Sequence, residues 1–172
     1  MTGIKFVGSG GQGVILAGLI LGKAAAIYEG KEAVYTESYG AETRGGFSSS
    51  SLIISNDKID YPYVLDADVI VAFSQKGYDS AFNTLKKDGI LIYESDLVSP
   101  EKVNRMYGIP ATRLVKEKFN KTTSVNMAML GYLVKITNVV SKQSLLNAVS
   151  ESVPKGTEKE NMEAVELGYN FS

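Results

Sequence analysis

The sequence predicts an α/β, Rossmann-like fold with a mainly parallel sheet, flanking helices and a helical C-terminal part. Short apolar runs alternate with segments of helical spacing over the first half of the 172-residue chain, as in strands joined by crossover helices. A glycine-rich loop separates the first apolar run from the first helical segment. From Thr122 onward only helical spacing recurs. We therefore expect residues 1–172 to form a single domain.

The first strand and helix follow from apolar runs and their glycine boundaries. Residues 4–7 form a short apolar run that ends in glycine and predicts a buried strand. Residues 14–28 predict a helix that ends before Gly30. Gly18 and Gly22 lie on one face of that helix, so we expect it to approach a sheet or another helix closely there.

The middle of the chain continues the alternation of strand and helix. Extended or apolar patterns predict strands over residues 33–39, 47–55, 69–73 and 90–93. Between the last two strands, apolar residues at helical spacing predict a helix over residues 78–85. This order of elements favours a mainly parallel sheet.

The C-terminal part is predicted to be helical throughout. Apolar stripes at helical spacing predict helices over residues 125–136 and 145–153, and Pro154 breaks the second. Thr157, with Glu160 three residues later, predicts a capping box at the start of a last helix.

The composition excludes several kinds of chemistry for this chain. The absence of cysteine excludes disulfides, thiolate nucleophiles and cysteine-ligated iron–sulfur clusters, and the absence of histidine excludes a Ser-His-Asp triad. The net charge of −1 gives no general attraction to phosphate backbones, so we expect no nucleic-acid partner. Catalysis by this chain alone would need carboxylates, lysines, tyrosines, backbone amides or a borrowed cofactor. The composition therefore favours a binding or partner role.

The most apolar stretch does not predict a membrane segment. Residues 14–27 include Lys23 and fall short of the roughly 20 residues that a spanning helix needs. The stretch follows a glycine-rich loop instead of a basic segment, which is not typical of a signal peptide. We expect no membrane association and a cytoplasmic location.

The glycine loop is the first candidate binding site. Gly8, Gly10 and Gly13 have the G-x-G-x-x-G spacing between a predicted strand and a predicted helix, whose amino end presents free amides to an anion. The alternative is that the glycines serve only the turn. A dinucleotide site is less favoured. Glu37 could be the acid at the end of the second strand, but no second helix follows it, as this kind of site requires. The candidate cofactor-binding residues are Gly8, Ser9, Gly10, Gly11, Gln12 and Gly13.

A second candidate loop carries an arginine between glycines. The guanidinium of Arg44 can approach a carboxylate or phosphate with little obstruction, and Glu42 can orient it through an ion pair. The alternative is a solvated turn with an ordinary surface arginine. The candidate binding residues here are Tyr39, Gly40, Glu42, Arg44, Gly45 and Gly46.

Other polar residues receive structural interpretations. Asp60, Asp66 and Asp68 could suggest a magnesium site, but the last two flank a strand and are expected to be solvated edge residues. Asn126 and Asn161 stand near the starts of helical stretches, where we interpret them as helix caps. We therefore predict no metal site and no catalytic residue in this chain.

The order of the motifs along the chain resembles the gamma subunit of 2-oxoacid:ferredoxin oxidoreductases. The resemblance covers nearly the whole chain, and although each motif alone is weak, their order and spacing together are specific. The motifs are Gly8-x-Gly10-Gly11-Gln12-Gly13, Tyr39-Gly40-x-Glu42-x-Arg44-Gly45-Gly46, Ile54-Ser55, Asp60-Tyr61-Pro62, Ala72-Phe73-Ser74-Gln75, Asn126-Met127-x-x-Leu130-Gly131 and Asn161-x-x-Ala164-x-x-x-Gly168.

The resemblance implies a fold like domain III of pyruvate–ferredoxin oxidoreductase and a place in an enzyme complex. Such enzymes oxidatively decarboxylate a 2-oxoacid with coenzyme A and reduce ferredoxin. The segment Asp60-Tyr61-Pro62 and the compact length are most similar to the 2-oxoglutarate synthase type, and the pyruvate, branched-chain and indolepyruvate types remain open.

The resemblance also implies a division of labour between subunits. Thiamine diphosphate, magnesium and iron–sulfur clusters are expected in partner subunits, named alpha, beta and a ferredoxin-like delta. This chain would hold no cofactor alone and would pack on the thiamine-binding subunits. Its glycine loop, with Gln12 and Arg44, is expected to face that interface and to contact the phosphates of coenzyme A as a shared ligand. The competing hypotheses are an independent nucleotide-binding module, an NAD-dependent oxidoreductase and a scaffold without ligand contacts.

Overall fold

The six strands of the chain form one sheet with the order β2-β3-β1-β4-β5-β6. This is a computed structural model, and it describes residues 1–39 and 46–172. β1, β4, β5 and β6 pair in parallel, whereas β3 is antiparallel to both of its neighbours. The predicted α/β fold with a mainly parallel sheet is confirmed, and one reversed strand makes the sheet mixed. The strands are β1 (Thr2–Ser9), β2 (Glu32–Tyr39), β3 (Phe47–Ser55), β4 (Ala67–Ala72), β5 (Leu85–Glu94) and β6 (Met106–Ile109).

Helices cover both faces of the sheet. A π-helical turn over Ala24–Tyr28 prolongs the first helix, and a 3₁₀ turn over Phe82–Thr84 prolongs the second. Within the described ranges, no helix combines the length and the apolar character that crossing a membrane requires. The helices are α1 (Val14–Lys23), α2 (Gln75–Ala81), α3 (Ala111–Phe119), α4 (Val125–Thr137), α5 (Lys142–Ser152) and α6 (Glu158–Asn170).

Alternation along the strands builds two separate cores. On β1, Ile4 and Phe6 point to the larger core, which packs against α1 and the C-terminal helices. Val7 points to the opposite face, where the smaller core includes Ile70 and Tyr78 of α2. The sheet therefore holds α1 and α2 on opposite sides, with their amino ends at the same edge.

Glycines allow α1 to lie close to the sheet, as the sequence predicts. A Cβ on Gly18 would collide with the Ser50 hydroxyl of β3, and a Cβ on Gly22 would lie 3.1 Å from Leu52 Cδ1. The Ser50 hydroxyl in turn donates to the Val14 carbonyl at 2.9 Å. The predicted close face of the helix is therefore confirmed, and its neighbour is β3.

Two glycines let the backbones of α4 and α6 approach each other closely. A Cβ on Gly131 would collide with the carbonyl of Val165, and a Cβ on Gly168 would collide with the carbonyl of Ala128. The nearest carbonyl carbons would lie only 2.9 Å and 2.7 Å away. These two glycines belong to the two C-terminal motifs of the sequence, and helix packing explains the glycine of each motif.

Several local predictions were incomplete or wrong. β6 and α3 were not predicted, and the helix expected over residues 78–85 begins at Gln75 and ends before β5. The capping box is wrong, because the Thr157 hydroxyl donates to the Pro154 carbonyl at 2.6 Å instead of capping α6. The Glu160 carboxylate instead pairs with Lys121 at 2.6 Å.

Candidate functional site

The glycine loop lies at the edge of the sheet where the parallel strands end. Gly13 is the N-cap residue of α1 with φ 73°, and Gly11 has φ 84°, so both adopt a conformation that favours glycine. Gly10 and Gly11 are exposed, whereas Gly8 is buried. The loop therefore turns the chain sharply and presents its middle outwards.

Gln12 stabilises the loop with both ends of its side chain. Its Oε1 accepts the amide of Ser9 at 2.7 Å, and its Nε2 donates to the carbonyl of Phe73 at 3.1 Å. A Cβ on Gly8 would lie 2.6 Å from the same Oε1, so Gly8 makes room for this side chain. Gln12 thus joins the end of β1 to the residue after β4.

This contact bears on the hypothesis of a dinucleotide site. In doubly wound folds the ligand enters the crevice at the strand ends where the sheet order reverses, here between β1 and β4. Gln12 bridges that crevice and hydrogen-bonds to backbone on both sides of it. The geometry gives no support to an independent dinucleotide-binding module.

The amino end of α1 has the features of an anion contact. The first-turn amides of a helix have no intrahelical acceptor, and the helix dipole adds positive potential there. The first turn of α1 contains no acidic side chain that would compete. The exposed side of the loop, outside the crevice that Gln12 bridges, is therefore open to an anion.

A pair of serines continues this edge towards α2. The hydroxyls of Ser9 and Ser74 lie 3.3 Å apart, and Ser74 caps α2 by accepting the amide of Gly77 at 3.1 Å. A Cβ on Gly77 would lie 2.5 Å from the amide nitrogen of Gly8, so α2 begins directly against the end of β1. The motif that includes Ser74 is therefore built next to the glycine loop.

Only the ends of the second candidate loop belong to the described residues. The amide of Gly10 donates to the carbonyl of Gly46 at 2.9 Å, which brings the two loops into contact. Tyr39 pairs with Ser48 at the end of β2, at the same edge. Gly40, Glu42, Arg44 and Gly45 lie outside the described residues.

Two buried polar side chains at this edge were missed as site residues. Asn126 is 5% exposed, and its Nδ2 donates to the carbonyl of Gly13 at 3.3 Å. Glu94, at the end of β5, is 1% exposed and accepts hydrogen bonds from the Thr112 amide at 2.6 Å, the Thr112 hydroxyl at 2.8 Å and the Asp96 amide at 2.9 Å. The contacts of Asn126 with Gly13 and of Glu94 with Thr112 join separate elements of the chain, so only the position of Asn126 within a family motif could have indicated its importance.

The structural interpretations of other polar residues need correction. Asn126 and Asn161 are not helix caps, because Ser124 and Thr157 occupy the N-cap positions of α4 and α6. Asp68 is not simply solvated, because it accepts the amide of Gly3 at 2.7 Å and pairs with Lys86 at 2.6 Å. Across residues 1–39 and 46–172, no group of three or more acidic side chains is placed to hold a metal ion.

Cavities also occur away from the loops. One of about 570 Å³ lies at the opposite edge of the sheet, lined in part by Ile54, Asp68 and Arg105. Another of about 420 Å³ lies beside Lys5 on the face opposite α1. Burial lowers the pKa of the Lys5 ammonium, against the opposing charge of Asp66, and this ammonium donates to Thr84 Oγ1 at 3.0 Å.

Comparison with known proteins identifies the family. The family model described as pyruvate ferredoxin/flavodoxin oxidoreductase matches residues 3–171, which is almost the full chain. The chain belongs to this family. The gamma-subunit resemblance predicted from the motifs is also confirmed: a solved structure of a keto/oxoacid ferredoxin oxidoreductase gamma subunit from Geobacter sulfurreducens PCA is 35% identical, with a TM-score of 0.85. That match covers 98% of this chain and 96% of the other.

Two curated relatives show how similarity varies within the family. The 2-oxoglutarate synthase subunit KorC of Methanocaldococcus jannaschii is 47% identical, over 98% of this chain and 92% of that protein. The pyruvate synthase subunit PorC of Methanothermobacter marburgensis is 30% identical, over 98% of this chain and 96% of that protein. Both of these relatives are thus enzyme subunits, and the 2-oxoglutarate synthase subunit is the more similar of the two.

Proposed function

We propose that the chain is the gamma subunit of a 2-oxoacid:ferredoxin oxidoreductase that acts on 2-oxoglutarate. The complex would convert 2-oxoglutarate and coenzyme A to succinyl-CoA and carbon dioxide, with the electrons passing to ferredoxin. The observation that supports this substrate is the 47% identity to a 2-oxoglutarate synthase subunit over nearly the full chain. The complex would work in the cytoplasm.

The chain contributes no redox or thiamine chemistry of its own in this proposal. Without cysteine it has no thiolate ligands for an iron–sulfur cluster, and its described residues offer no cluster of acidic side chains for magnesium. Iron–sulfur clusters, thiamine diphosphate and magnesium would therefore belong to the alpha, beta and ferredoxin-like delta subunits. Residues 1–172 would act as one domain that packs on the thiamine-binding subunits.

The glycine loop would meet coenzyme A at that interface. Gly10 and Gly11 are exposed, and the amino end of α1 is free of acidic residues, which suits the phosphates of coenzyme A. Arg44 would share this role, because the loop to which it belongs ends at Gly46, whose carbonyl accepts the amide of Gly10. Because the loop lies on an open surface, a partner subunit would complete the site.

Purification of the native complex tests the assignment of function. We expect thiamine- and iron–sulfur-containing subunits to copurify, and the complex to reduce ferredoxin fastest with 2-oxoglutarate among a panel of pyruvate, branched-chain 2-oxoacids and indolepyruvate. A chain that purifies without such subunits would contradict the assignment. A complex that prefers pyruvate would contradict only the substrate.

Substitution of Arg44 tests the ligand role separately. In the assembled complex, Arg44→Ala should raise the KM for coenzyme A by about tenfold or more, since a charge-assisted hydrogen bond contributes roughly 1.5–3 kcal/mol. Arg113→Ala is the matched control, because Arg113 pairs at the surface with Asp96 at 3.2 Å. An unchanged KM for Arg44→Ala would leave the loop with a packing role alone.

A further inference from the structure

The side chain of Asn126 donates a hydrogen bond to the backbone carbonyl of Gly13, the N-cap residue of α1. The carbonyl of Gly13 accepts the amide of Ala17 at 3.0 Å, which is the first backbone bond of the helix, and also the Asn126 Nδ2 at 3.3 Å. Asn126 Oδ1 accepts the amide of Met127 at 3.1 Å, which fixes the orientation of the side-chain amide. The contact joins residues 113 positions apart in the sequence.

Asn126 and Gly13 are also in direct steric contact. A Cβ on Gly13 would lie 2.7 Å from Asn126 Cγ, so the space beside Gly13 is already taken by this side chain. The positive φ of 73° is a second, independent reason for glycine at this position.

The planar peptide bond transmits this contact to the exposed side of the loop. The Gly13 carbonyl and the Val14 amide belong to one rigid peptide plane and point in opposite directions. Holding the carbonyl therefore fixes the direction of the Val14 amide, the first of the free amides of α1. The other end of the contact is equally fixed, because α4 packs on α6 through Gly131 and Gly168.

We propose that Asn126 is a positioning residue, which aims the first-turn amides of α1 at the anionic group of the ligand by holding the Gly13 carbonyl. The inference rests on the proposed function for the identity of that ligand, coenzyme A. The first part of the inference, which states that Asn126 holds the start of α1, does not depend on which ligand binds. Neither the Gly13 contact nor the burial of Asn126 is needed for helix capping, since Ser124 occupies the N-cap position.

The test compares Asn126→Asp with Ser124→Ala in the assembled complex. Asn126→Asp keeps the size and the Oδ1 acceptor but replaces the donor with an oxygen that repels the Gly13 carbonyl. Ser124 lies in the same turn and is 1% exposed, and its hydroxyl has no hydrogen-bond partner among the described residues. Comparing the two variants therefore separates the effect of losing the hydrogen bond to Gly13 from the effect of altering a buried polar side chain at the start of α4.

Two readouts are required. Hydrogen exchange without coenzyme A should become about fivefold faster at Ala17 in Asn126→Asp and stay unchanged in Ser124→Ala, as expected for loss of one hydrogen bond. The KM for coenzyme A should rise about fivefold in Asn126→Asp, with kcat within twofold. If Asn126→Asp does not assemble, Asn126→Ser gives the same comparison, because its side chain is too short to bridge to Gly13.

The outcomes separate this inference from the proposed function. Unchanged exchange at Ala17 would overturn the positioning role. Faster exchange with an unchanged KM, while Arg44→Ala raises the KM, would overturn it too, because the ligand would not use these amides. If neither Asn126→Asp nor Arg44→Ala changes the KM for coenzyme A, both the positioning role of Asn126 and the proposed ligand role of the loop are overturned.

Discussion

The glycine loop and the crossing of α4 with α6 both depend on glycine, but for opposite physical reasons. At the middle of the loop the space is open, since the nearest atom to a Cβ on Gly10 is the Gly46 carbonyl oxygen at 4.0 Å and a Cβ on Gly11 would have no neighbour within 4 Å. At the crossing, a Cβ on Gly131 or Gly168 would collide with a backbone carbonyl. Glycine in a family motif can thus serve access at one place and packing at another.

The largest effect is expected at the crossing. Gly168→Ala should destabilise the chain by about 3 kcal/mol or more, because backbone on both helices must move apart. Denaturant unfolding measures this free energy. Gly22→Ala is the matched control, since its Cβ would meet only the flexible Leu52 side chain at 3.1 Å. Equal effects of the two substitutions would contradict the assignment of the crossing as a packing site.

Gly13→Ala should have the next largest effect, because this position combines the two reasons for glycine. We expect about 2 kcal/mol or more of destabilisation, from the positive φ and from the contact with Asn126. A double-mutant cycle with Asn126→Ala separates the two causes. The double variant should be more stable than the sum of the single effects predicts, and strict additivity would argue against the contact.

Gly10→Ala tests the opposite case, a glycine at an open position of the loop. Its Cβ has room, and Gly10 has no positive φ, so the free energy of unfolding should change by less than about 1 kcal/mol. In the complex the same methyl group should raise the KM for coenzyme A, because it lies on the exposed surface of the loop. A large loss of stability with an unchanged KM would reverse the roles that we assign to the two regions.

The smallest effect concerns pH and a surface contact remote from both regions. Hydrogen bonds from Tyr28 and Lys23 hold the pKa of the Glu151 carboxyl below its ordinary value. The stabilisation is therefore complete above the ordinary carboxyl pKa and is lost as the pH falls through the lowered one. Glu151→Gln should slightly flatten the acid side of the stability–pH curve, and less so in high salt. A change confined to neutral pH would argue against this assignment.

Local patterns were sufficient to predict the start of the fold. The apolar run of β1, the glycine loop and the helical spacing of α1 are contiguous in sequence, and the structure has all three where they were predicted. α3 was missed although Ala111, Leu114, Val115 and Phe119 have helical spacing, because the segment is short and four of its nine residues are charged. β6 has only four residues and pairs with β5 along just one edge, so its pattern is too short to recognise.

The candidate site was only partly predictable, because its key contacts are non-local. The spacing of the loop glycines is visible in the sequence, but their partners are not. The contact of Gly10 with Gly46 and that of Gly13 with Asn126 depend on the tertiary fold. The expectation that Gln12 lies at a ligand interface stays a prediction, and nothing in the sequence indicated that its side chain bonds to backbone on both sides of the β1–β4 crevice.

Hydrogen exchange of the intact complex with and without coenzyme A tests the central claim most directly. The account predicts that saturating coenzyme A slows exchange in peptides that cover residues 8–16 and leaves the α4–α6 crossing unchanged. Protection that appears elsewhere in the complex, with none over residues 8–16, would contradict the assignment of the glycine loop as a coenzyme A contact.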